Sequence, residues 1–348
     1  MTRTVNELTA AFGNDDVSRA ERLSEIPVGV IGLGLMGTSI IACLLSSGHP
    51  VLAVTRNAQT RQSARDKVRE LLEQLSCEGI LKGDPAELVR RFEITDNYAD
   101  LADRHVVIES IIESLDAKKE ALRKVEDVVS PGALIGSNTS AIPVTVLQTG
   151  TQHPERILGL HWAEPAHITR FMEIICGEQT LPGYGERAVA LARSWGKEPT
   201  LVKRDVRGFI TNRIFYAMLR EAFHLVEAGY ATPADVDRSL RNDLGYWITF
   251  AGPFRFMDLT GIPAYAAVMT DLFPDLDSRK DVPALMRKVV DSGARGVQNA
   301  KGFYDYTPEQ AERWEKLFLQ FSYEIRALAL RYPEDIGDRV TEATSTEA

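Results

Sequence analysis

The chain of 348 residues has 44% hydrophobic and 26% charged residues and a formal net charge of −9. This composition is typical of a globular protein with room for two domains, and the acidic balance disfavours a nucleic-acid surface. No apolar run approaches the ~18–20 residues that span a bilayer, and the N-terminus has no apolar segment of a secretory signal. We therefore expect a cytoplasmic protein that binds neither nucleic acid nor membrane.

The three cysteines, Cys43, Cys77 and Cys176, are far apart in the sequence and odd in number. Neither a CxxC pair nor a Cys/His pattern with the spacing of metal ligands is present. The sequence therefore predicts reduced thiols and no metal site.

Residues 1–26 are polar and are interpreted as an N-terminal extension. From residue 27 to 204, short apolar runs rich in β-formers alternate with helical patterns. The strand candidates are 28–33, 51–55, 92–95, 105–111, 133–137, 157–162, 172–176 and 200–203. This alternation predicts an α/β Rossmann domain, in which helices cover both faces of a doubly wound, mostly parallel sheet.

After residue 204 strand signals are scarce, and apolar side chains recur at helical spacing, for example from Ile210 to Leu225. Thr232, Pro233 and Asp235 have the pattern of an N-cap, a first helical residue and a capping-box acid. We expect an all-α C-terminal domain over 205–330 and a flexible tail over 331–348.

The sequence GLGLMG follows the first predicted strand and places glycines at 32, 34 and 37. Gly32 allows a tight turn, Gly34 lets the backbone approach a pyrophosphate, and Gly37 lets helix and strand pack closely. The predicted phosphate-binding loop comprises Gly32, Leu33, Gly34, Leu35, Met36 and Gly37, at the start of a helix with free N–H groups. A close-packed turn that binds nothing is the alternative.

The second predicted strand ends in Thr55 and Arg56. An NAD site usually has Asp or Glu at this point, bonded to the ribose hydroxyls. A small hydroxyl followed by a guanidinium can instead hold a 2′-phosphate. The predicted cofactor is NAD(P), with NADP slightly favoured; alternatively, Arg56 is a solvated surface residue and NAD binds.

Polar side chains gather at the predicted strand ends between residues 105 and 176. His161 ends an apolar run, Pro165 prevents its simple continuation, and Glu173 lies in the next strand. An imidazole oriented by a carboxylate can accept a hydroxyl proton, and beside a nicotinamide this arrangement oxidises an alcohol. Ser140 could donate to the same oxygen. A structural role for His161 remains open, and His167, on the turn between the strands, is the nearest rival.

The chain resembles the 3-hydroxyacyl-CoA dehydrogenase family from about residue 27 to 306. The motifs that carry the resemblance keep the order and spacing of the family: VGVIGLGLMGTSI, VVIESIIESLDAKKE, IGSNTSAIPVT, PERILGLHW, MEIICGEQT, GFITNRI, GPFRFMDLTG and KGFYDY. Members have a Rossmann domain followed by a helical domain through which they usually dimerise. The resemblance therefore implies a homodimer that associates through C-terminal helices.

The resemblance also implies roles for individual residues. His161 matches the catalytic histidine of the family and Glu173 its paired glutamate. Ser140 and Asn212 match residues that face the substrate. Three further residues match positions near the nicotinamide ribose and carboxamide: Glu113, Lys118 and Asn138.

Two departures concern the substrate. Glu164 replaces the asparagine of the family pattern HxxNP, and an ionised carboxylate cannot donate to a thioester carbonyl. The helical segment that holds CoA in the family is also short here, over 58–90. The motifs HW–P–HI and YTPEQ further resemble a branch that acts on small ring alcohols, the pyridine-carboxylate 5-dehydrogenases. If the chain belongs to that branch, His167 or Arg170 could hold a free carboxylate; alternatively, both are surface residues on a turn.

The first functional hypothesis is an NAD(P)-dependent oxidoreductase that interconverts a 3-hydroxyacyl(-CoA) secondary alcohol and its 3-keto form, a reaction of fatty acid metabolism. One alternative is the same chemistry on a small non-CoA hydroxy acid or ring alcohol. Another is a catalytically inactive dinucleotide-binding or structural protein.

Overall fold

The computed structural model describes Leu23 and residues 26–332. The predicted extension, apart from Leu23 and Ile26, and the predicted tail beyond residue 332 lie outside the described residues. The chain divides into two compact units, the first ending at Ile214 and the second beginning at Phe215. Among the helices that the structure describes, none is both long and apolar enough to cross a membrane.

The first unit contains one eight-stranded sheet in the order β3-β2-β1-β4-β5-β6-β7-β8. The strands are β1 (Val28–Ile31), β2 (Val51–Val54), β3 (Phe92–Thr95), β4 (Val106–Glu109), β5 (Leu134–Ser137), β6 (Ile157–Trp162), β7 (Phe171–Cys176) and β8 (Glu198–Val202). Neighbouring strands are parallel except β6 and β7, which are antiparallel. The predicted Rossmann domain is confirmed.

The central strands are apolar because helices cover both faces of the sheet. Every residue of β1, β2, β4 and β5 is buried, as expected where helices cover both faces of a parallel sheet. The helices of this unit are α1 (Leu35–Ser46), α2 (Thr60–Cys77), α3 (Pro85–Arg90), α4 (Leu115–Glu126), α5 (Val144–Gln148) and α6 (Pro182–Ser194).

The turn from β1 into α1 requires glycine at two positions. Gly32 has a φ of 105°, and a Cβ there would lie 2.4 Å from the carbonyl oxygen of Ser110. A Cβ on Gly37 would lie 2.2 Å from the carbonyl oxygen of Gly32. Since β1 lies between β2 and β4, this turn stands where strand order reverses, the point at which open α/β sheets form their ligand crevice.

The second unit is helical, as predicted. Helix α7 (Thr211–Glu227) crosses the division between the units. Up to residue 332, where the described part of the chain ends, six helices follow: α8 (Pro233–Asn242), α9 (Leu244–Ile248), α10 (Pro253–Thr260), α11 (Ile262–Leu272), α12 (Ala284–Asp291) and α13 (Pro308–Ala329). The predicted capping box of Thr232 and Asp235 starts α8, and Thr307 with Gln310 forms another at α13. Over residues 215–332, only Val236, Ala251, Ala311, Ser322 and Tyr323 are buried.

Candidate active site

A cleft of about 650 Å³ opens where β1 and β4 end. The cleft is lined by Gly32, Gly34, Leu35, Met36, Ser110, Ile111, Ile112, Asn138, Ser140, Trp162 and Glu164. Two other cavities, of about 600 and 790 Å³, lie in the second unit and are lined by none of the predicted site residues. The chemistry predicted from the sequence therefore belongs to the cleft in the first unit.

The glycine-rich end of the cleft fits a dinucleotide pyrophosphate. Gly34 is the N-cap of α1, where no side chain caps the free N–H groups and no acidic residue stands in the first turn. A Cβ on Gly34 would meet nothing within 4 Å, so space for a ligand lies directly over the backbone. Open N–H groups and the positive end of the helix dipole favour a phosphate at this position.

The end of β2 has no carboxylate for ribose hydroxyls. Thr55 is held by its backbone N–H, which donates to Thr95 O at 2.9 Å. Arg56 is exposed and makes no ion pair within 4 Å among the described residues. Its guanidinium is therefore free to meet an anionic group.

The antiparallel pair β6–β7 places His161 directly opposite Glu173. Side chains of opposed residues project from the same face of a sheet, and His161 Nδ1 lies 2.9 Å from Glu173 Oε2. The imidazole and the carboxylate are both buried, and Phe171 and Phe209 flank the imidazole with ring centroids at 5.4 and 5.5 Å. The contact fixes Nδ1, while Nε2 has no hydrogen-bond partner within the described part of the chain.

The second oxygen of Glu173 is also bound. Its Oε1 accepts from the backbone N–H groups of Ile210 at 3.1 Å and Thr211 at 2.9 Å, at the start of α7. Burial alone would raise the pKa of Glu173, but the bonds from His161 and Thr211 hold that pKa below the ordinary value for glutamate. The carboxylate is therefore ionised at neutral pH and keeps the Nδ1 proton of His161 in place.

Hydrogen bonds connect the loop after β5 to Glu113 and to Asn212. The backbone N–H of Ser140 donates to Glu113 Oε1 at 3.1 Å, and its carbonyl accepts from Asn212 Nδ2 at 3.0 Å. Asn138 Oδ1 accepts from the backbone N–H of Trp162 at 3.0 Å. The structure thus brings together Ser140, Asn138, Asn212 and the end of β6, and the roles predicted for these residues stay predictions.

A buried ionic network missed in the sequence lies behind the cleft wall. Lys118 Nζ is 2.8 Å from Glu109 Oε1 and 3.3 Å from Glu113 Oε2, with Lys118 and Glu109 fully buried. Glu109 also accepts from Ser137 Oγ and from Ile111 N. Lys118, predicted near the nicotinamide ribose, is enclosed by these carboxylates and is not part of the cleft lining. The signal in the sequence that could have revealed this network was Glu109, an acidic residue at the end of an otherwise apolar strand.

Glu113 belongs to the same network. Burial would raise its pKa, but the bond from Thr139, the charge of Lys118 and the backbone N–H groups of Ala141 and Ser140 lower it. A carboxylate held ionised in this way keeps the Ser140 loop in one position.

Glu164, predicted to lie near the substrate, is part of the cleft lining. Its side chain is exposed, and partial loss of solvent raises the pKa of its carboxyl group, against an opposing effect of Lys67.

The structure does not bring His167 to the cleft. Its ring is buried, with Nδ1 2.9 Å from Ser39 Oγ on α1, and its backbone N–H donates to the same hydroxyl at 3.3 Å. Arg170 makes an ion pair with Glu198 at 2.9 Å. The expectation that His167 or Arg170 holds a substrate carboxylate is therefore corrected: a turn that usually faces solvent is here packed inward.

Comparison with known proteins agrees with this geometry. Residues 27–206 match the NAD binding domain of 3-hydroxyacyl-CoA dehydrogenase, and residues 208–306 match its C-terminal domain. The chain belongs to the 3-hydroxyacyl-CoA dehydrogenase family. It is accordingly an NAD-dependent oxidoreductase that acts on CH–OH groups.

The relatives that resemble the chain include a pyridine-carboxylate dehydrogenase and 3-hydroxybutyryl-CoA dehydrogenases. The 5-formyl-3-hydroxy-2-methylpyridine 4-carboxylate 5-dehydrogenase of Mesorhizobium japonicum is 35% identical over 83% of this chain and 95% of its own length. A probable 3-hydroxybutyryl-CoA dehydrogenase of Deinococcus radiodurans is 31% identical over 80% of this chain and 99% of its own length.

Solved structures also resemble the chain. A pyridine-carboxylic acid 5-dehydrogenase described as an NAD⁺ dependent dismutase aligns with a TM-score of 0.82 and 31% identity, over 89% of this chain and all of that chain. FadB2 of Mycobacterium tuberculosis aligns with a TM-score of 0.68 and 28% identity, over 81% of this chain and all of that chain.

The buried His167 predicts a measurable pH dependence of stability. Burial, followed by the charges of Lys197 and Lys67, lowers the pKa of His167 from 6.5 to about 4. Because the folded pKa is the lower one, the stabilisation is present above about pH 6.5 and is lost as the pH falls toward 4. Between pH 7 and pH 5 this group should cost the wild type about 2 kcal/mol of unfolding free energy.

Urea unfolding at both pH values, followed by tryptophan fluorescence, measures this effect. His167→Gln should show the smaller pH dependence, whereas the half-buried control His153→Gln should behave as the wild type does. An unchanged pH dependence in His167→Gln would contradict the assignment.

Proposed function

We propose that the chain transfers a hydride between NAD(P) and a small alcohol, with His161 as the acid–base residue and Glu173 as the carboxylate that orients it. The observation that supports this proposal most strongly is the 2.9 Å contact between His161 Nδ1 and Glu173 Oε2, made by residues that are partners in the strand register. A base within a fixed hydrogen bond, next to a cleft with a dinucleotide loop, is the arrangement that alcohol oxidation requires.

In this proposal each residue has a separate task. The bound nicotinamide supplies the hydride acceptor or donor. His161 Nε2 takes the hydroxyl proton as the alcohol is oxidised, and the ionised Glu173 stabilises the imidazolium that results. Ser140, held by Glu113 and Asn212, presents its hydroxyl to the same substrate oxygen.

We infer a small substrate without CoA. The four basic residues of α2 that could have held CoA phosphates already have partners. Arg61 pairs with Asp96 at 2.8 Å, Arg65 donates to Val89 O at 3.4 Å, Lys67 pairs with Glu70 at 2.9 Å and Arg69 with Asp66 at 3.3 Å. The alignment with the pyridine-carboxylic acid dehydrogenase covers 89% of this chain, compared with 81% for FadB2, and supports the same inference.

The name of the pyridine-carboxylate dehydrogenase contains a formyl group, and we therefore add aldehydes to the proposed substrate class. A hydrated aldehyde presents the same H–C–O–H group as an alcohol, so one base and one hydride acceptor serve both. Oxidation of the hydrate gives a carboxylic acid and the reduced cofactor, and reduction of a second aldehyde gives the alcohol and restores the oxidised cofactor.

A second candidate is the interconversion of a 3-hydroxyacyl-CoA and its 3-keto form. The match of residues 208–306 to the C-terminal domain of the family and the 31% identity to a probable 3-hydroxybutyryl-CoA dehydrogenase favour it. Turnover of acetoacetyl-CoA, compared with that of ring alcohols and aldehydes under the same conditions, separates the two candidates.

The role of His161 is tested by His161→Gln, which keeps a polar side chain but removes the base. Turnover should fall by about 10²–10⁴-fold, the usual contribution of a positioned acid–base group, while cofactor affinity measured by fluorescence stays within about twofold of wild type. His153→Gln, a histidine outside the cleft lining, serves as control. Activity above about a tenth of wild type would refute the role of His161 as the base.

For the cofactor, we propose that Arg56 meets a 2′-phosphate and gives a preference for NADP. Arg56→Ala should then weaken NADP binding about tenfold, the loss of one charge-assisted contact, and leave NAD binding nearly unchanged. Arg90→Ala, another exposed arginine, is the control. Titration calorimetry measures the affinity for both cofactors. Equal weakening of NADP and NAD binding would contradict the proposed NADP preference.

We also propose a homodimer that associates through the second unit. Residues 215–332 bury few side chains, and α13 exposes Trp314, Leu317, Phe318 and Phe321 at helical spacing along one face. An apolar face of this size on a folded unit normally has a partner.

Light scattering after gel filtration should give a mass near twice 38.6 kDa. The double substitution Phe318→Asp and Phe321→Asp should reduce the mass to that of one chain or cause aggregation, and Glu315→Lys on the same helix should not. A monomeric wild type would contradict the dimer.

A further inference from the structure

The carboxylate of Glu164 has no hydrogen-bond or ionic partner among the described residues of the first unit. Glu164 follows β6, three residues after His161, and lines the cleft together with the glycine-rich loop. Its side chain is exposed, and among the described residues it makes no hydrogen bond and no ion pair within 4 Å. A carboxylate left without a protein partner inside a ligand cleft is available to a ligand.

The segment that carries Glu164 is held in place from behind. Ala163 O accepts from Thr169 Oγ1 at 3.1 Å, and Pro165 O accepts from the backbone N–H groups of Ile168 and Thr169, both at 3.0 Å. These bonds close the turn immediately on both sides of Glu164. The position of Glu164 is thus set by its flanking residues.

Two buried side chains fasten the same turn to the domain. Lys197, 6% exposed, donates from Nζ to Ala166 O and Thr169 O. His167 bonds to Ser39 on α1, the helix that starts at the glycine-rich loop. Because Ser39 and Gly34 belong to one rigid element, Glu164 is fixed relative to the predicted cofactor loop, as a group that selects a substrate must be.

The wall beside Glu164 is aromatic and rigid. Trp162 lines the cleft and stacks on Trp195 with centroids 5.4 Å apart and an angle of 20° between the rings. His161 and Glu164 are three residues apart, so their Cα atoms are separated by at most about 10 Å. One ring with one or two substituents is therefore long enough to contact both side chains.

The charge of the Glu164 carboxylate determines which groups of a bound ring can lie beside it. An ionised carboxylate repels a thioester carbonyl or a free carboxylate and binds an N–H donor, most strongly when the donor is cationic. Lys67, the cation that acts on Glu164, is already paired with Glu70 at 2.9 Å.

We propose that Glu164 is a specificity-determining residue that accepts a hydrogen bond from the protonated ring nitrogen of a nitrogen heterocycle, while the carbinol or formyl group of the same ring meets His161. This inference rests on the proposed function, since it assigns the substrate class of that active site. In an N⁺–H···O⁻ contact the charge of Glu164 is matched by the substrate, which explains why the cleft holds an acid without a protein partner.

The test compares two ring alcohols of the same shape, 3-(hydroxymethyl)pyridine-4-carboxylate and 2-(hydroxymethyl)benzoate. Wild-type protein should have a kcat/KM at least tenfold higher for the pyridine. Glu164→Gln should lose most of this preference through KM, with kcat within about threefold. In wild type the preference should shrink as the pH rises above the pKa of the ring nitrogen. The exposed control Glu178→Gln should keep the full preference.

Binding of both compounds to the protein loaded with reduced cofactor, measured by calorimetry, separates this inference from the proposed function. Tighter binding of the pyridine by wild type but not by Glu164→Gln supports the inference even if neither compound is turned over, a result that would refute only the proposed function. Equal binding of the two rings by wild type, or an unchanged preference in Glu164→Gln, overturns the inference whatever the turnover.

Discussion

The antiparallel pairing of β6 with β7 is the constraint on which the rest of the site depends. In a sheet of otherwise parallel strands, this one reversal returns the chain beside itself and sets Glu173 opposite His161. The same carboxylate receives the first N–H groups of α7, so one side chain joins the sheet, the imidazole and the helix that carries Asn212. A slip of one residue in this register would turn Glu173 to the other face and break all three connections.

The sequence was sufficient for the fold, whereas the roles of the chemically distinctive residues stay predictions. Apolar strands alternating with helical patterns predicted the sheet, and GLGLMG after the first strand predicted the dinucleotide turn, because both depend on local spacing. Contacts between distant residues could not be read in this way. Ser39 and His167 are separated by 128 residues, and the burial of Lys118 depends on Glu109, which looked like part of a strand. The resemblance to the ring-alcohol branch suggested that His167 could hold a substrate carboxylate; instead this turn is packed inward, where the buried Lys197 donates to its carbonyl groups.

Two features of the cleft bear on what the protein acts on. Three of the four basic residues of α2 form ion pairs within the first unit, and under the proposed function this leaves little positive charge for a CoA tail. Glu164, in contrast, has no hydrogen-bond or ionic partner among the described residues, and hydrogen bonds hold its turn in place. On these grounds we propose a cleft that favours a compact ring with a hydrogen-bond donor over an extended anionic substrate. The family relationship supplies the reaction, and the substrate selectivity is the proposal.

The central claim is that Glu173 makes His161 a base by holding its Nδ1 proton. Steady-state kinetics of Glu173→Gln on a ring alcohol, with cofactor affinity measured in parallel, test it most directly. The amide keeps the shape of the side chain but not its charge, so kcat/KM should fall by about 10²-fold or more while cofactor binding is preserved. A variant that retains kcat/KM within about threefold of wild type would contradict the account.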